Sequence, residues 1–230
     1  MRVNTKSIVI LAFIVLFLMG GYKSIHTTNK YIEAKCSYAN IKNTYKNNIQ
    51  KFNNINGDVI GWIRIKGTII DYPILKSRDN VDYLYKLPTG ENNPCGSIFV
   101  ECKCNKPFEC FNTVIHGHNM KDGSMFGSLE KFKNQVHYED HKIIEILTPE
   151  RGYDYIIVSS FVTRADSVVY ETNNMAASER GEFIIYIKDN SDVKTREVVD
   201  VNDKLITLST CAYNYENARR VVIGKLIKVT

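Results

Sequence analysis

A single thiol, Cys211, closes the β-like run at residues 205–210 in LITLSTCAYNYENARRVVIGKLI, and two arginines, Arg219 and Arg220, begin the next such run. If residues 205–210 form a strand, alternation turns Ile206 and Leu208 toward a core and sets Thr207, Ser209 and Cys211 on the opposite face. That places a thiol on an accessible surface. A lone cysteine is more often a small apolar filler, so its chemistry depends on what the fold brings beside it. The segment TVIHGHNMKDGSMFGSL offers His116 and His118 on either side of Gly117. Two histidines two apart on a strand share one side and suggest a metal site. No carboxylate or thiol stands nearby at ligand spacing, however, and Gly117 reads as a turn. The alternative is one histidine serving as acid or base for a distant thiol. A thiol of pKa near 8.5 is only a few per cent ionised at neutral pH, and an adjacent imidazolium or guanidinium favours the thiolate.

The elements that must position these groups read as mainly β. The run VIGWIRIKGTIIDYPIL, bounded by Gly57, Gly67 and Pro73, suggests two strands. Further strands are expected at 97–101, 113–116, 143–147, 153–161, 205–208 and 221–229, a pattern of short strands and turns that points to a barrel or sandwich. Residues 79–85 have a short helical pattern. Residues 176–188 make a better helix, with Phe183, Ile184 and Ile187 near one face, inside a long connection at 163–198. Long connections of this kind are disproportionately functional.

The chain has 230 residues and a formal charge of +5 with acids interspersed among the bases. No clustered basic footprint for nucleic acid is evident; a negatively charged cell envelope is an equally natural partner. Residues 8–19 are an unbroken apolar run between Arg2, Lys6 and Lys23. The uncharged segment at 7–22 would span about 24 Å as a helix, against about 30 Å for a bilayer core. That shortfall makes a cleaved signal peptide a rival reading, but no clear small-x-small cleavage site follows the run and Lys6 and Lys23 can reach the interfaces, so the favoured reading is an uncleaved anchor. The tail is expected in the cytoplasm and the remainder outside the cell. Between anchor and domain, residues 27–54 carry Tyr31, Ile32, Tyr38, Ile41, Tyr45, Ile49 and Phe52 at roughly helical spacing.

The motifs NTVIHGHNM at 112–120, TLSTC at 207–211 and ARRVV at 218–222 together resemble the sortases, specifically class B. The stretch at 57–73, the run GSIFV, the N-terminal anchor and the helix in the long connection extend the resemblance over nearly all of the chain beyond its stalk. It implies a closed β-barrel with N-terminal helices and a helix inserted in a long inter-strand connection. The organisation would be a cytoplasmic tail and signal-anchor at 1–26, a helical linker at 27–55 and a catalytic barrel at 56–230. By the resemblance, the histidine is His118 and the nucleophile Cys211. The arginine is Arg219, with Arg220 one register step away, and His116 takes a place where the family often has Tyr.

The implied activity is a cysteine transpeptidase. Cys211 would form a thioester after Thr of an Asn-Pro-x-Thr sorting signal on a surface protein. The protein would pass to an amine of peptidoglycan or its lipid-linked precursor, with no cofactor and no metal. Asn80 and Leu84, four apart on the short helix, with Tyr170 and Ser209, are the candidate substrate contacts. A cysteine peptidase that releases the thioester to water and a noncatalytic envelope-binding β domain are the competing readings. Cys95, Cys102, Cys104 and Cys110 depart from the family pattern. Unpaired, partly buried thiols are expected first, disulfides second and zinc third.

Overall fold

The structure, a computed structural model, describes residues 5–45, 55–172 and 175–230. Eight strands form a closed barrel: β1 (Val59–Ile65), β2 (Asp71–Lys76), β3 (Ile98–Val100), β4 (Asn112–His116), β5 (Ile143–Leu147), β6 (Gly152–Arg164), β7 (Leu205–Cys211) and β8 (Ala218–Val229). They run around the barrel in the order β1-β2-β3-β4-β7-β8-β6-β5. The β2/β3 and β4/β7 pairs are parallel and the others antiparallel. Closure leaves no free sheet edge for another chain to pair with.

Alternation assigns the two faces of the wall. Ile63, Ile65, Ile74, Ile115, Ile144, Ile206, Leu208 and Val222 belong to one buried cluster inside the barrel. Leu205, Val221, Ile223 and Phe161 instead join an outer cluster with Phe183 and Ile187 of helix α3 (Ala177–Asp189). The inward direction expected for Ile206 and Leu208 is therefore the one observed. Thr207 and Ser209 on the other face are also buried, because the long β6–β7 connection covers them. Only Cys211, at the end of the strand, is exposed. In α3, Phe183 and Ile187 are buried and Ile184 is partly so, while Ile185 faces solvent.

The N-terminal segment is one unbroken helix, α1 (Thr5–Tyr45), roughly 60 Å long. Its first turns are apolar and exposed, with Phe17 at 80%, and it is long and apolar enough to cross a membrane. Its later turns pack on the barrel through Tyr31, Ala34, Tyr38 and Ile41, a helical i, i+3, i+7, i+10 stripe. The Tyr38 hydroxyl donates to the Gly96 carbonyl at 2.7 Å, and Lys42 pairs with Asp71 at 2.5 Å. Ile32, expected on that stripe, is instead 54% exposed. Ile49 and Phe52 lie outside the described residues.

Two elements were not legible as such. A 3-10 helix (Gly127–Lys133) and helix α2 (Gln135–Asp140), started by the Asn134 side chain accepting from the His137 N–H at 3.1 Å, fill the β4–β5 connection. At 79–85 the expected helix shrinks to one 3-10 turn (Asp82–Leu84). The Asp79 carboxylate accepts from the Val81 and Asp82 N–H groups, both at 2.8 Å, as a cap does, but the Tyr83 and Tyr85 carbonyls accept from the Ser97 and Asn93 N–H groups, so no further helical turn forms.

Candidate active site

The register of three adjacent strands assembles the site. In the parallel β4/β7 pair, His116 stands opposite Ser209, and the Gly117 N–H continues the ladder to the Ser209 carbonyl at 3.1 Å. The next residues of the chain, His118 and Asn119, thus reach the level of Cys211. The Asn119 amide fixes the crossing by donating to the Cys211 carbonyl at 2.7 Å. On the other side, antiparallel β8 sets Arg219 directly opposite Cys211 and Arg220 opposite Thr210. Opposed residues share a face with Cβ atoms about 5 Å apart, so Arg219 belongs to the thiol's face and Arg220 to the other. Arg220 is 3% exposed and makes ion pairs with Glu130 at 3.1 Å and with Asp192. That settles which of the two arginines stands beside Cys211.

His118, Cys211 and Arg219 line one open cleft of about 590 Å³. The His118 Nε2–H donates to the Leu84 carbonyl at 2.7 Å. A carbonyl only accepts, so this bond fixes the tautomer and leaves Nδ1 as the nitrogen able to exchange a proton. The glycine between the histidines serves close packing. A Cβ at Gly117 would sit 2.4 Å from Ile98 Cδ1 and 2.8 Å from Phe126 Cδ2, so only glycine lets β4 run on past the barrel rim here.

Asn80, Leu84, Tyr170 and Ser209 line the same cleft. Asn80 and Leu84 do not share a helical face as the spacing suggested, because Asn80 precedes the 3-10 turn. Asn80 is instead bonded within the wall: its Nδ2 donates to Glu101 at 2.5 Å and its Oδ1 accepts from the Cys102 N–H at 2.9 Å. The Tyr170 hydroxyl and Ser209 Oγ lie 2.8 Å apart. Burial pushes the Tyr170 phenol up to about 12 and keeps it neutral.

Glu101, which the sequence reading passed over, is a central feature of this wall. It is 5% exposed, and His116 Nε2 lies 3.0 Å from its Oε2. Burial alone would raise its carboxyl pKa; the hydrogen bonds from His116 and Asn80 outweigh burial and bring it down to about 2. The His116 ring also stacks on Tyr170, 6.0 Å between centroids and 7° from parallel. His116 is thus part of the cleft wall as well as the last residue of β4. A carboxylate directly after the apolar run of β3 was the one available signal for Glu101. Its partner lies 15 residues away across a strand pair.

All six cysteines are unbonded. Cys95 is buried and its pKa is pushed up to about 11 by burial. Cys102 and Cys104 lie in a turn beyond β3 and not on a strand. Cys104 and Cys110 are neighbours, with Sγ atoms 3.1 Å apart. Among the described residues, no three His, Cys, Asp or Glu side chains gather as a metal site would require.

The chain and its fold have counterparts among known proteins. The model of the sortase domain matches residues 63–227. Sortase B of Staphylococcus aureus is 31% identical over 97% of both chains. Among solved structures, sortase B of Bacillus anthracis in complex with AAEK1 superposes with a TM-score of 0.80 at 32% identity, covering 87% of this chain and 99% of that one. A Staphylococcus aureus sortase B–substrate complex superposes with a TM-score of 0.78 at 28% identity, covering 86% and 98%.

Proposed function

This chain belongs to the sortase family, in class B, whose members are cysteine transpeptidases, and from that premise we propose that Cys211, His118 and Arg219 carry the transfer. The observation that supports it is the strand register. Cys211 stands opposite Arg219, with His118 at the same level, along one cleft.

In the first half-reaction, the Cys211 thiol passes its proton to His118 and the sulfur attacks the carbonyl carbon of Thr in an Asn-Pro-x-Thr signal. The C–N bond breaks, a thioester forms, and His118 gives its proton to the departing amine. In the second, an amine of peptidoglycan or its lipid-linked precursor attacks the thioester. His118 takes the amine's proton and Cys211 leaves as the thiolate. Arg219, permanently charged and forked, donates to the substrate backbone or to the oxyanion that develops in each half.

Leu84, Tyr170 and Ser209 touch the signal peptide. Asn80 acts there from its fixed position on Glu101. The apolar turns of α1 anchor the enzyme as a single uncleaved span, tail inside, with the barrel from about residue 56 held outside the cell by the helical linker. Its substrates are surface proteins bearing a C-terminal sorting signal.

The test is product analysis with the full chain in detergent micelles, an Asn-Pro-x-Thr peptide, and an amine present or absent. The proposal expects a peptide joined to the amine through the Thr carbonyl, lost in Cys211→Ala. Cleavage that gives only the free acid even with abundant amine would identify a peptidase instead.

A further inference from the structure

Cys104 and Cys110 take no part in the chemistry at Cys211, yet their Sγ atoms are 3.1 Å apart. The turn between them is already closed, the Glu109 and Cys110 N–H groups both donating to the Lys106 carbonyl at 3.1 and 3.2 Å. Lys76 reaches across from β2 to the Cys104 carbonyl and holds the other end. The two thiols differ in access. Cys104 is fully buried. Cys110 is half-buried and lines a surface cleft of about 310 Å³ together with Arg180, Asp203 and Lys204.

We propose that Cys104 and Cys110 are a redox site that oxidises to an intramolecular disulfide by exchange with an external disulfide, Cys110 attacking first and Cys104 resolving. The Cys110 thiolate attacks one sulfur of the incoming disulfide, forming a mixed disulfide and expelling the other sulfur as a thiolate. Cys104 then loses its proton and attacks Cys110 Sγ, so that the Cys104–Cys110 bond forms and the second external thiol leaves. Two electrons and two protons pass to the external disulfide, which is reduced to two thiols.

The division of labour follows from access: Cys110 faces the surface cleft, where an external disulfide can reach it, and Cys104 lies buried behind it. A hydrogen bond shared between the two sulfurs favours the thiolate of one at the expense of the other. Closing from 3.1 Å to a bond of about 2.05 Å requires about 1 Å of movement within a turn that is already formed.

The strand register also keeps this site apart from Cys211. Cys110 lies just before Asn112, which pairs with Leu205, whereas Cys211 lies beyond the His116–Ser209 pair at the opposite end of the same parallel ladder. At about 3.3 Å per residue the two sites are separated by roughly 20 Å. Cys211 is therefore out of reach of a cross-link to either thiol of this pair. Oxidation of the pair staples the turn that starts at Glu101, the residue that holds Asn80 and His116 in the cleft wall.

The test uses the full chain in detergent micelles, exposed to oxidised glutathione or to dithiothreitol, then denatured, alkylated and mapped by mass spectrometry. After oxidation the proposal expects a cross-linked peptide joining Cys104 to Cys110 and the other four cysteines recoverable as thiols or simple adducts. Closing this short loop should raise the barrel's Tm by roughly 5 °C. In Cys104→Ser, glutathione should remain trapped on Cys110, because the resolving thiol is gone; Cys104→Ala gives the same readout if the serine variant folds poorly. Full alkylation of both thiols after oxidation, a lasting glutathione adduct on Cys110 of the unsubstituted chain, or a cross-link from either residue to a third cysteine would each overturn the proposal.

Discussion

Replacing each of the two arginines with alanine should produce opposite failures, although they are consecutive in the sequence. Arg220 is buried, and its guanidinium is held by Glu130 at 3.1 Å and by Asp192. Breaking a fully buried ion pair costs about 3–5 kcal/mol, mostly from the charge left behind. Here both carboxylates are 38% exposed and can be rehydrated, so Arg220→Ala should cost about 2 kcal/mol. For a chain of this size that lowers Tm by about 6 °C. Arg219 lies on the cleft face opposite Cys211, and its Nη1 donates to its own neighbour's carbonyl, that of Ala218, at 3.0 Å. Arg219→Ala should leave Tm within about 1 °C and lower kcat/KM for transfer by about 10²–10³, the usual cost of removing one oxyanion donor. Calorimetry and a peptide–amine transfer assay on the same preparations separate the two effects. A hundredfold activity loss in Arg220→Ala at unchanged Tm, with Arg219→Ala nearly active, would refute the register argument.

Acid titration probes the cleft wall: the Glu101 carboxyl, brought down to about 2 from an ordinary carboxylate value, stabilises the fold fully above the unfolded pKa and loses that contribution as pH falls toward 2. The contribution is about 3 kcal/mol at most, so the Tm gap between the native chain and Glu101→Gln should be clear at pH 6 and shrink between pH 4.5 and 2. A gap that widens on acidification would contradict it. Gly117→Ala, whose new methyl would meet Ile98 and Phe126, should cost about 1–3 kcal/mol and displace His118, so kcat should drop with Tm; an unaffected kcat would show that the rim adapts. His118→Ala should lower the acylation rate by about 10²–10⁴, measured as thioester formation in a single turnover, and equal rates would remove His118 from the proton transfer.

The alternation of LITLST placed Ile206 and Leu208 inside and Cys211 outside without any structure, because a strand's side-chain period is fixed by its backbone. The choice between Arg219 and Arg220 needed the β7–β8 register. That register depends on the turn at 212–217, which ends on Asn217 at a φ of 59°, and apolar pattern alone does not encode it. The helix expected through Asn80 and Leu84 stops after one turn because the Tyr83 and Tyr85 carbonyls are taken by the N–H groups of Ser97 and Asn93, further along the chain. Glu101, just past the end of β3, meets His116, the last residue of β4, through the antiparallel β3/β4 register that sets Phe99 opposite His116. That register is not encoded in either run of residues taken alone.

The most direct measurement of the central claim is the intact mass and peptide map of the enzyme mixed with Asn-Pro-x-Thr and Leu-Pro-x-Thr peptides. The account predicts an acyl group on Cys211 from the Asn-Pro-x-Thr peptide, discharged by an added amine into a joined product and absent in Cys211→Ala. An acyl group on any other residue, or undiminished transfer by Cys211→Ala, would contradict it.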